Sequence, residues 1–269
     1  MGRVSVHTVG IIQARMGSTR LPGKVLYPLA GRPALWHVVT RVRECKNIDD
    51  IVLATTTNSE DDQIEAWCAD HDVACFRGSA QDVLDRYYQA AKQFHASHIV
   101  RITADCPLID PAIVDEVVQE FRNGHYHIYG LGGEFPDGLD CEAFTFPALE
   151  AAWRLARRAS DREHVTPFLY KHPGQFRTGH LEKFVGLSHH RWTLDEKADL
   201  IFLQEVFTKL FSDSRMITTQ DVLALLTREP HLITLNQGII RNEGYLRSLE
   251  QDDVVTSRSQ YGYSGTSGS

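Results

Sequence analysis

The sequence lacks the marks of several protein classes. No apolar run approaches the roughly 18 residues that a membrane helix needs, so we expect no membrane partner. The five cysteines are odd in number, scattered and never in CxxC spacing. This pattern predicts reduced thiols in a cytoplasmic protein rather than a disulfide framework. The net charge of -7 argues against a nucleic-acid partner, because general nucleic-acid binders usually present a basic face.

Positive charge is concentrated at the start of this acidic chain. Residues 1–50 hold eight Lys and Arg against three Asp and Glu. Such a local excess predicts an anion-binding site. The chain has 269 residues, of which 42% are hydrophobic, and this suits one α/β domain with a sizeable core.

Strand-like and helix-like patterns alternate through the first half of the chain. The patterns predict strands at residues 8–14, 50–56, 73–76 and 98–103, and helices at residues 33–45, from Ser59 as N-cap, at 82–95 and at 111–122. This order predicts a Rossmann-like, mostly parallel sheet with helices on both faces. Ligands of such sheets bind at the carboxyl ends of the strands, so the residues that follow each strand are the candidates for a site.

The second half is less regular. Residues 125–190 are predicted to form a smaller inserted subdomain that completes an acceptor pocket and makes a subunit contact. Within and after it, the patterns predict helices at residues 147–158, 161–171, 198–211 and 219–227 and an extended piece at 176–187. We interpret residues 1–250 as a single domain, and the Ser- and Gly-rich residues 251–269 as a flexible tail.

The segment IIQARMGSTRLPGK, which ends at Lys24, predicts a polyphosphate site after the first strand. Gly17 lets the backbone approach a ligand closely, and successive amides there can form an anion-binding nest. Arg15 and Lys24 add positive charge from either side, and Arg20 is a third candidate. The segment matches neither the GxxxxGK[ST] nor the GxGxxG pattern. The alternative is a solvated loop whose cations are incidental.

Two carboxylates are candidates for a metal site. Asp105 ends the fourth predicted strand in RITADCPLID, and Asp195 follows an extended segment in HHRWTLDEKADL. Mg²⁺ is typically bound by one or two carboxylates together with phosphate oxygens and water, so a carboxylate pair beside a phosphate loop predicts Mg²⁺ as cofactor. The alternatives are that Asp105 caps the turn before Pro107 and that Asp195 caps the helix after it.

Four further residues are candidates for binding an acceptor. In FPDGLDCEAF, Asp140 and Glu142 would point to the same side of a strand and meet acceptor hydroxyls. In DREHVTPFLY, Arg162 and His164 could contact an anionic acceptor. The alternatives are a solvated strand face for the first pair and ordinary chemistry of a helix N-terminus for the second.

Taken together, these stretches and two others, VLATTTNSEDD and FRGSAQDVLDRY, resemble a known family. The similarity covers about residues 8–250 and is to the cytidylyltransferase family of the spore coat polysaccharide protein SpsF, related to the acylneuraminate and 3-deoxy-manno-octulosonate cytidylyltransferases. The resemblance implies a nucleotide-diphospho-sugar-transferase fold, CMP transfer from CTP to a small anionic acceptor, and a homodimer. The acceptor would be a sugar acid, a phosphonate or a sugar or polyol phosphate.

The resemblance also implies roles for individual residues. It makes Arg15, Ser18 and Lys24 triphosphate contacts. It makes Asp105 a metal ligand and Asp195 the second one. Its nucleotide-binding candidates are Thr55, Asn58, Arg77, Gly78, Ser79 and Asp82. Ala14 and Gly17 of the first loop are further nucleotide-binding candidates. The chain departs from the family by having Ala104 where relatives often have Gly. Residues 125–190 lack the sugar-pocket signature of a sialic-acid activator, which leaves the acceptor open.

Two rival functions remain at this stage. A glycosyltransferase of the same fold would use a nucleotide sugar, but such enzymes usually place a DxD-like cluster on the metal. This chain instead has Asp105 followed by Cys106 and Pro107. A non-catalytic nucleotide-binding protein would bind nucleotide without turnover.

Overall fold

The computed structural model describes the backbone of residues 6–261 and the side chains of residues 6–252. The strands are β1 Thr8–Gln13, β2 Pro28–Leu29, β3 Arg32–Pro33, β4 Asp50–Thr56, β5 Ala74–Gly78, β6 His98–Thr103, β7 Ile128–Gly132, β8 Glu142–Thr145 and β9 Thr178–Glu182. The helices are α1 Ala34–Arg43, α2 Asp62–Asp70, α3 Val83–Gln93, α4 Pro111–Asn123, α5 Phe146–Leu155, α6 Ala159–His164, α7 Pro167–Lys171, α8 Lys197–Leu210, α9 Thr219–Arg228 and α10 Glu243–Tyr261.

Seven strands form one sheet in the order β5-β4-β1-β6-β8-β7-β9. The central strand β1 is parallel to both β4 and β6. Its first five residues are buried, because helices cover both faces of the sheet. Only β8 runs antiparallel to its neighbours β6 and β7 in this sheet. The predicted mostly parallel sheet with helices on both faces is confirmed.

Three apolar clusters hold the helices to the sheet. One contains residues of α1, α2 and α4 on one face, and a second contains residues of α3 and α5 on the other. A third packs α8 and α9 around the fully buried Trp192. This third cluster brings the late helices against the end of the sheet where the candidate residues lie.

The N-caps of α2 and α4 lie at acidic residues. Asp110, which directly precedes Pro111, accepts a hydrogen bond from the Ala112 amide and caps α4. Ser59 was wrong as an N-cap, because it opens a 3-10 turn, Ser59–Asp61, and α2 begins only at Asp62. The structural reason is that the chain folds the Asp61 carboxylate back toward the first loop instead of continuing a helix from Ser59.

Residues 125–190 add three strands to the main sheet. Sequence patterns missed β7, and the strand expected to contain Asp140 and Glu142 is β8, which begins only at Glu142. The predicted helix 161–171 is two helices, α6 and α7, separated at Val165, whose φ is 71°. The predicted tail 251–269 starts inside α10, whose backbone is helical through Tyr261. Residues 262–269 lie outside the described residues, so a flexible end stays a prediction. Within residues 6–261, no helix is both long and apolar enough to cross a membrane.

Candidate active site

The Lys24 ammonium lies between two carboxylates. Its Nζ is 2.6 Å from Oδ2 of Asp105 and 2.6 Å from Oδ1 of Asp195. The three residues are far apart in the sequence, and two of them follow strands β1 and β6, which pair in parallel. Asp105 and Asp195, the predicted metal ligands, therefore both contact the ammonium of Lys24. Lys24 is itself a predicted phosphate contact.

Backbone contacts fix this arrangement. Lys24 begins a 3-10 turn, Lys24–Leu26, and Gly23 before it has φ 72°, a conformation that glycine adopts without strain. The Asp105 carbonyl accepts hydrogen bonds from the Leu194 amide (2.8 Å) and the Thr193 hydroxyl (3.2 Å). Because of these two bonds, the segment that carries the second carboxylate is docked on the end of β6.

Lys24 and Asp105 hold each other in their ionised forms. Burial alone would raise the pKa of Asp105, but the charge and hydrogen bond of Lys24 lower it to about 2. Burial would likewise lower the pKa of Lys24, and the two carboxylates outweigh this and raise it. Each of these groups is therefore charged at neutral pH.

A buried network holds Asp195 from the other side. Arg191 donates to both oxygens of Asp199 (2.9 and 3.0 Å), to Asp137 (2.8 Å) and to Oδ2 of Asp195 (3.2 Å). The Asp199 carboxylate also accepts the Asp195 amide (3.0 Å), and Asn236 donates to it (2.9 Å). Glu196 is the N-cap of α8, in a capping box with Asp199, so capping that helix is not the role of Asp195.

Arg20 faces carboxylates rather than open solvent. Its guanidinium lies 3.2 Å from Asp195, 3.3 Å from Glu196 and 3.3 Å from Glu243. Glu243 is the first residue of α10. The first loop is thereby connected to the C-terminal helix, a contact that sequence patterns did not indicate.

The first loop has an exposed residue, Arg15, and is held to the sheet by the buried Asp61. Arg15 is exposed and has no ion pair among the side chains of residues 6–252. The buried Asp61 accepts hydrogen bonds from the Met16 amide (2.7 Å) and from the amide and hydroxyl of Thr56. A Cβ at Gly17 would lie 2.5 Å from the Glu60 carboxylate. Asp61 is a residue whose role in holding the loop the sequence did not reveal.

The remaining residues of this loop are partly buried or paired with backbone. Ala14 is 3% exposed and its amide donates to the Ala54 carbonyl. The Ser18 amide donates to the Met16 carbonyl (2.8 Å), and the Ser18 hydroxyl accepts from the Leu21 amide (3.4 Å). Ser18 therefore shapes the turn that leads toward Lys24.

The candidates at the carboxyl ends of β4 and β5 lie at the same end of the sheet. Thr55 is fully buried, and its hydroxyl has no partner among the described residues. Asn58 is exposed, and its carbonyl accepts from Arg77 (2.8 Å). Arg77 also pairs with Asp62 and Glu65 (2.7 Å each). This arginine connects β5 to α2 in the structure and does not extend freely into the site.

The β5–α3 connection contains a buried arginine that sequence reasoning missed. Arg86 is 1% exposed and donates to the Ser79 carbonyl (2.9 Å), while its Nε has no partner among residues 6–252. A Cβ at Gly78 would lie 3.1 Å from its Cγ. Burial lowers the pKa of Arg86, and the nearby charge of Arg15 adds to this. Nothing in the local pattern of α3 distinguishes this residue from a surface arginine.

Asp82 and Arg162 contact each other, although sequence analysis placed them in different parts of the site. Arg162 approaches Asp82 to 2.5 Å and also donates to the Trp153 and Ala156 carbonyls. Asp82 itself caps α3 through the Asp85 amide. Arg162 therefore connects α5 and α6 to α3.

A cavity of about 480 Å³ contains the other three acceptor candidates. Its polar and charged lining comes from β6, from the β7–β8 connection and β8, from α6 and α7, and from the start of α10. The lining includes Arg101, Asp140, Glu142, His164, Thr166, Tyr170, Lys171, Asn242 and Tyr245. Asp140 and Glu142 do share a surface, but Asp140 precedes β8, so strand alternation is not the reason.

Glu142 lines this cavity and is held by hydrogen bonds. Its carboxylate accepts from Arg101 (3.2 Å) and from the Thr166 hydroxyl (2.9 Å). Burial raises the pKa of Tyr170, and the charge and hydrogen bond of Glu142 raise it further, so the phenol stays protonated as a donor. These contacts with Arg101 and Thr166 hold the Glu142 carboxylate in place at the cavity.

The carboxylate pair has the right chemistry for a divalent metal of the magnesium type. Two carboxylates converge on one point, as the distances to Lys24 show, and hard cations such as Mg²⁺ prefer oxygen ligands. The part of the chain that the structure describes contains no cluster of three or more His, Cys, Asp or Glu suited to a metal. Two protein carboxylates fit an ion that also takes ligands from a substrate and from water.

The chain is similar to several known proteins. Residues 9–223 match the family described as Cytidylyltransferase. The spore coat polysaccharide biosynthesis protein SpsF of Bacillus subtilis is 35% identical over 232 residues, covering 83% of this chain and 95% of that protein. A 3-deoxy-manno-octulosonate cytidylyltransferase of Anaeromyxobacter dehalogenans is 36% identical over 121 residues, covering 44% and 48%.

One solved structure is similar over most of both chains. A cytidylyltransferase from Leptospira borgpetersenii is 32% identical, with a TM-score of 0.81, and the match covers 88% of this chain and 100% of that one. The predicted relationship to SpsF and to the octulosonate enzymes is confirmed, as is the prediction of an enzyme of this class. The chain belongs to the cytidylyltransferase family.

Proposed function

We propose that the protein transfers CMP from CTP to a small anionic acceptor and releases pyrophosphate, with Mg²⁺ as cofactor. The observation that supports this most directly is the convergence of Lys24, Asp105 and Asp195 beside the Gly17 loop, at the carboxyl ends of β1 and β6. A site for a metal-bound triphosphate needs cationic side chains for the phosphates and carboxylates for the metal, close together. This site combines both.

Each charged group has a role in this reaction. Asp105 and Asp195 would hold Mg²⁺, which when bound supplies Lewis-acid polarisation of the α-phosphate. Arg15 and Lys24, with the loop amides near Gly17, stabilise the negative charge that develops on the departing pyrophosphate. Because phosphoryl-type transfer needs mainly positioning and charge stabilisation, the chain requires no covalent nucleophile.

The bond changes balance without a strong general base. An acceptor oxygen attacks the α-phosphorus of CTP in line, the new oxygen–phosphorus bond forms, and the bond to the bridging oxygen breaks. Pyrophosphate leaves with the electron pair of that bond. A carboxylate, phosphate or phosphonate acceptor that is ionised near neutral pH attacks without losing a proton first, and for this reason we favour an acidic acceptor.

The 480 Å³ cavity is the proposed acceptor pocket. It adjoins the carboxylate site through a short series of contacts. Asp140 lines the cavity and lies 3.4 Å from Arg241, which is 3.9 Å from Asp137. Asp137 in turn pairs with Arg191, the residue that holds Asp195.

The acceptor is a sugar acid, a phosphonate or a sugar or polyol phosphate, and the reaction serves activated-sugar or surface polysaccharide synthesis.

The proposal includes a cytoplasmic homodimer, by similarity to the sugar-acid relatives. Light scattering coupled to gel filtration measures the assembly directly, and a monomer at micromolar concentration would contradict that part alone. The residues proposed above for the metal and the triphosphate all come from one chain.

The decisive experiment is pyrophosphate release by the purified protein with Mg²⁺. CTP, UTP, ATP and GTP are each tested against pooled sugar acids, phosphonates and polyol phosphates. Release with CTP and one pool supports the proposal, and dividing that pool identifies the acceptor. Release only with another nucleotide would overturn the base assignment. Transfer from a nucleotide sugar without pyrophosphate would replace the proposal with a glycosyltransferase.

A further inference from the structure

We infer that Lys24 couples metal binding to nucleotide binding, because its ammonium competes with a divalent cation for the same two carboxylates. The inference rests on the proposed function and concerns the regulation of that site. Its starting point is the pair of 2.6 Å contacts from Lys24 to Asp105 and Asp195. An ion shared by those two carboxylates would occupy nearly the same place as the ammonium.

Charge around the pair strengthens this competition. Oδ1 of Asp195 contacts Lys24, and its Oδ2 contacts Arg20 and Arg191, both at 3.2 Å. Three cations thus surround one carboxylate. Among the described side chains, Lys24 is the only ion-pair partner of Asp105. A divalent cation that approaches while Lys24 stays in place meets strong like-charge repulsion, so metal affinity is low.

A triphosphate changes this balance. Its oxygens accept hydrogen bonds from an ammonium, and Lys is a compact charge on a flexible stem that can turn toward them. Lys24 starts a turn directly after Gly23, on the same loop as the proposed phosphate contacts. Once Lys24 faces phosphate, both carboxylates are available to a metal. By reciprocity, metal binding favours nucleotide binding to the same extent.

Arg20 does not have this role. Its guanidinium already contacts three carboxylates, those of Asp195, Glu196 and Glu243. Moving it would break contacts to three carboxylates at once, whereas moving Lys24 exchanges one cation for another at a single pair. The structure therefore assigns the coupling to Lys24.

The test measures Mn²⁺ binding to metal-free, nucleotide-free protein by electron paramagnetic resonance. The Lys24→Met variant is expected to bind Mn²⁺ roughly tenfold or more tightly than the wild type, a factor in the range typical of coupled sites. Lys197→Met is the matched control. It removes an exposed lysine close in sequence to Asp195 that makes no ion pair within residues 6–252, and it should leave Mn²⁺ affinity unchanged.

A double variant locates the effect. Lys24→Met combined with Asp105→Asn should lose the gain, because one carboxylate of the pair is gone. Equal or weaker Mn²⁺ binding by folded Lys24→Met protein would overturn the inference, as would a gain that survives Asp105→Asn. Circular dichroism establishes folding, and Lys24→Gln, which is also neutral, replaces Lys24→Met if that variant does not fold.

This experiment separates failure of the inference from failure of the proposed function. Mn²⁺ binding requires no substrate, so it can be measured even if no nucleotide gives pyrophosphate release. Conversely, pyrophosphate release with CTP would stand if Lys24→Met left the Mn²⁺ affinity unchanged.

Discussion

Arg191 and Asp199 form a buried ion pair with two contacts, at 2.9 and 3.0 Å, and Asp199 accepts the backbone amide of Asp195. Removing one partner of such a pair leaves a buried charge without compensation. Arg191→Met should therefore lower the free energy of unfolding by about 3 to 5 kcal/mol, measured by urea denaturation. Arg154→Met removes an exposed pair with Glu150 and should cost less than about 1 kcal/mol. Equal losses in the two variants would contradict a structural role for the buried pair.

Asp105→Asn and Asp195→Asn should each reduce metal-dependent turnover by orders of magnitude while the protein stays folded. Each change removes a negative charge from the proposed metal pair without removing side-chain volume. The measurement is the rate of pyrophosphate release over a range of Mg²⁺ concentrations, with circular dichroism for folding. Asp213→Asn alters an exposed carboxylate and should keep the wild-type rate. Near-normal turnover by folded Asp105→Asn protein would exclude a metal-binding role for it.

Gly138 should tolerate alanine less well than Gly31 does, although both have positive φ. At Gly138, with φ 104°, a Cβ would lie 2.6 Å from backbone atoms of Trp192 and Thr193, while at Gly31, with φ 79°, nothing lies within 4 Å. Gly31→Ala should cost only the strain of a left-handed residue, about 1 to 2 kcal/mol.

Gly138→Ala should cost more than this, because backbone atoms cannot give way as a side-chain end can. It should also slow turnover, because the displaced 192–193 segment leads directly to Asp195. Thermal unfolding and pyrophosphate release measure the two effects. If both alanine variants behaved alike, the close approach at Gly138 would have no consequence.

His37 should make the protein less stable in acid. Its Nε2 donates to the Leu29 carbonyl (2.8 Å), and burial, aided by the charges of Arg41 and Arg32, lowers its pKa to about 4. A lowered pKa means that the stabilising contribution is complete above pH 6.5 and is lost as the pH falls toward 4. The expected loss is about 3 kcal/mol.

His37→Gln should remove this part of the pH dependence between pH 6.5 and 4, since glutamine does not take up a proton there. Urea denaturation at several pH values provides the measurement. His231→Gln, at an exposed position, should keep the wild-type profile. A His37→Gln profile parallel to that of the wild type would show that another group causes the acid sensitivity.

Local patterns were sufficient for the parallel half of the sheet. β4 and β6 lie where the sequence predicts them, at Asp50–Thr56 and His98–Thr103, because buried parallel strands appear as continuous apolar runs. The cap at Asp110 was equally predictable, since capping depends on residues within one turn of each other. The residues nominated for phosphate and metal, Lys24 and Asp105, follow from the same rule about strand ends.

Local patterns indicated a strand near Glu142 but were not sufficient for the start and the antiparallel pairing of β8. This strand pairs with β6 across some forty residues of chain, as in the pairing of Arg101 with Glu142. The stretch before it contains glycines and a proline, which conceal the residue at which the strand begins. Pairing partners, and not propensity, decide the direction of such a strand.

The sequence by itself determined which residue types stand at the strand ends of this protein, and thereby the chemistry available there. Only the tertiary structure decided which of them meet. Lys24 turned out to lie between Asp105 and Asp195, Arg162 to pair with Asp82, and Arg191 to be buried against Asp199. The physical reason is that a charge finds its partner through the packing of distant segments, and side-chain periodicity reports only what lies within one helix or strand.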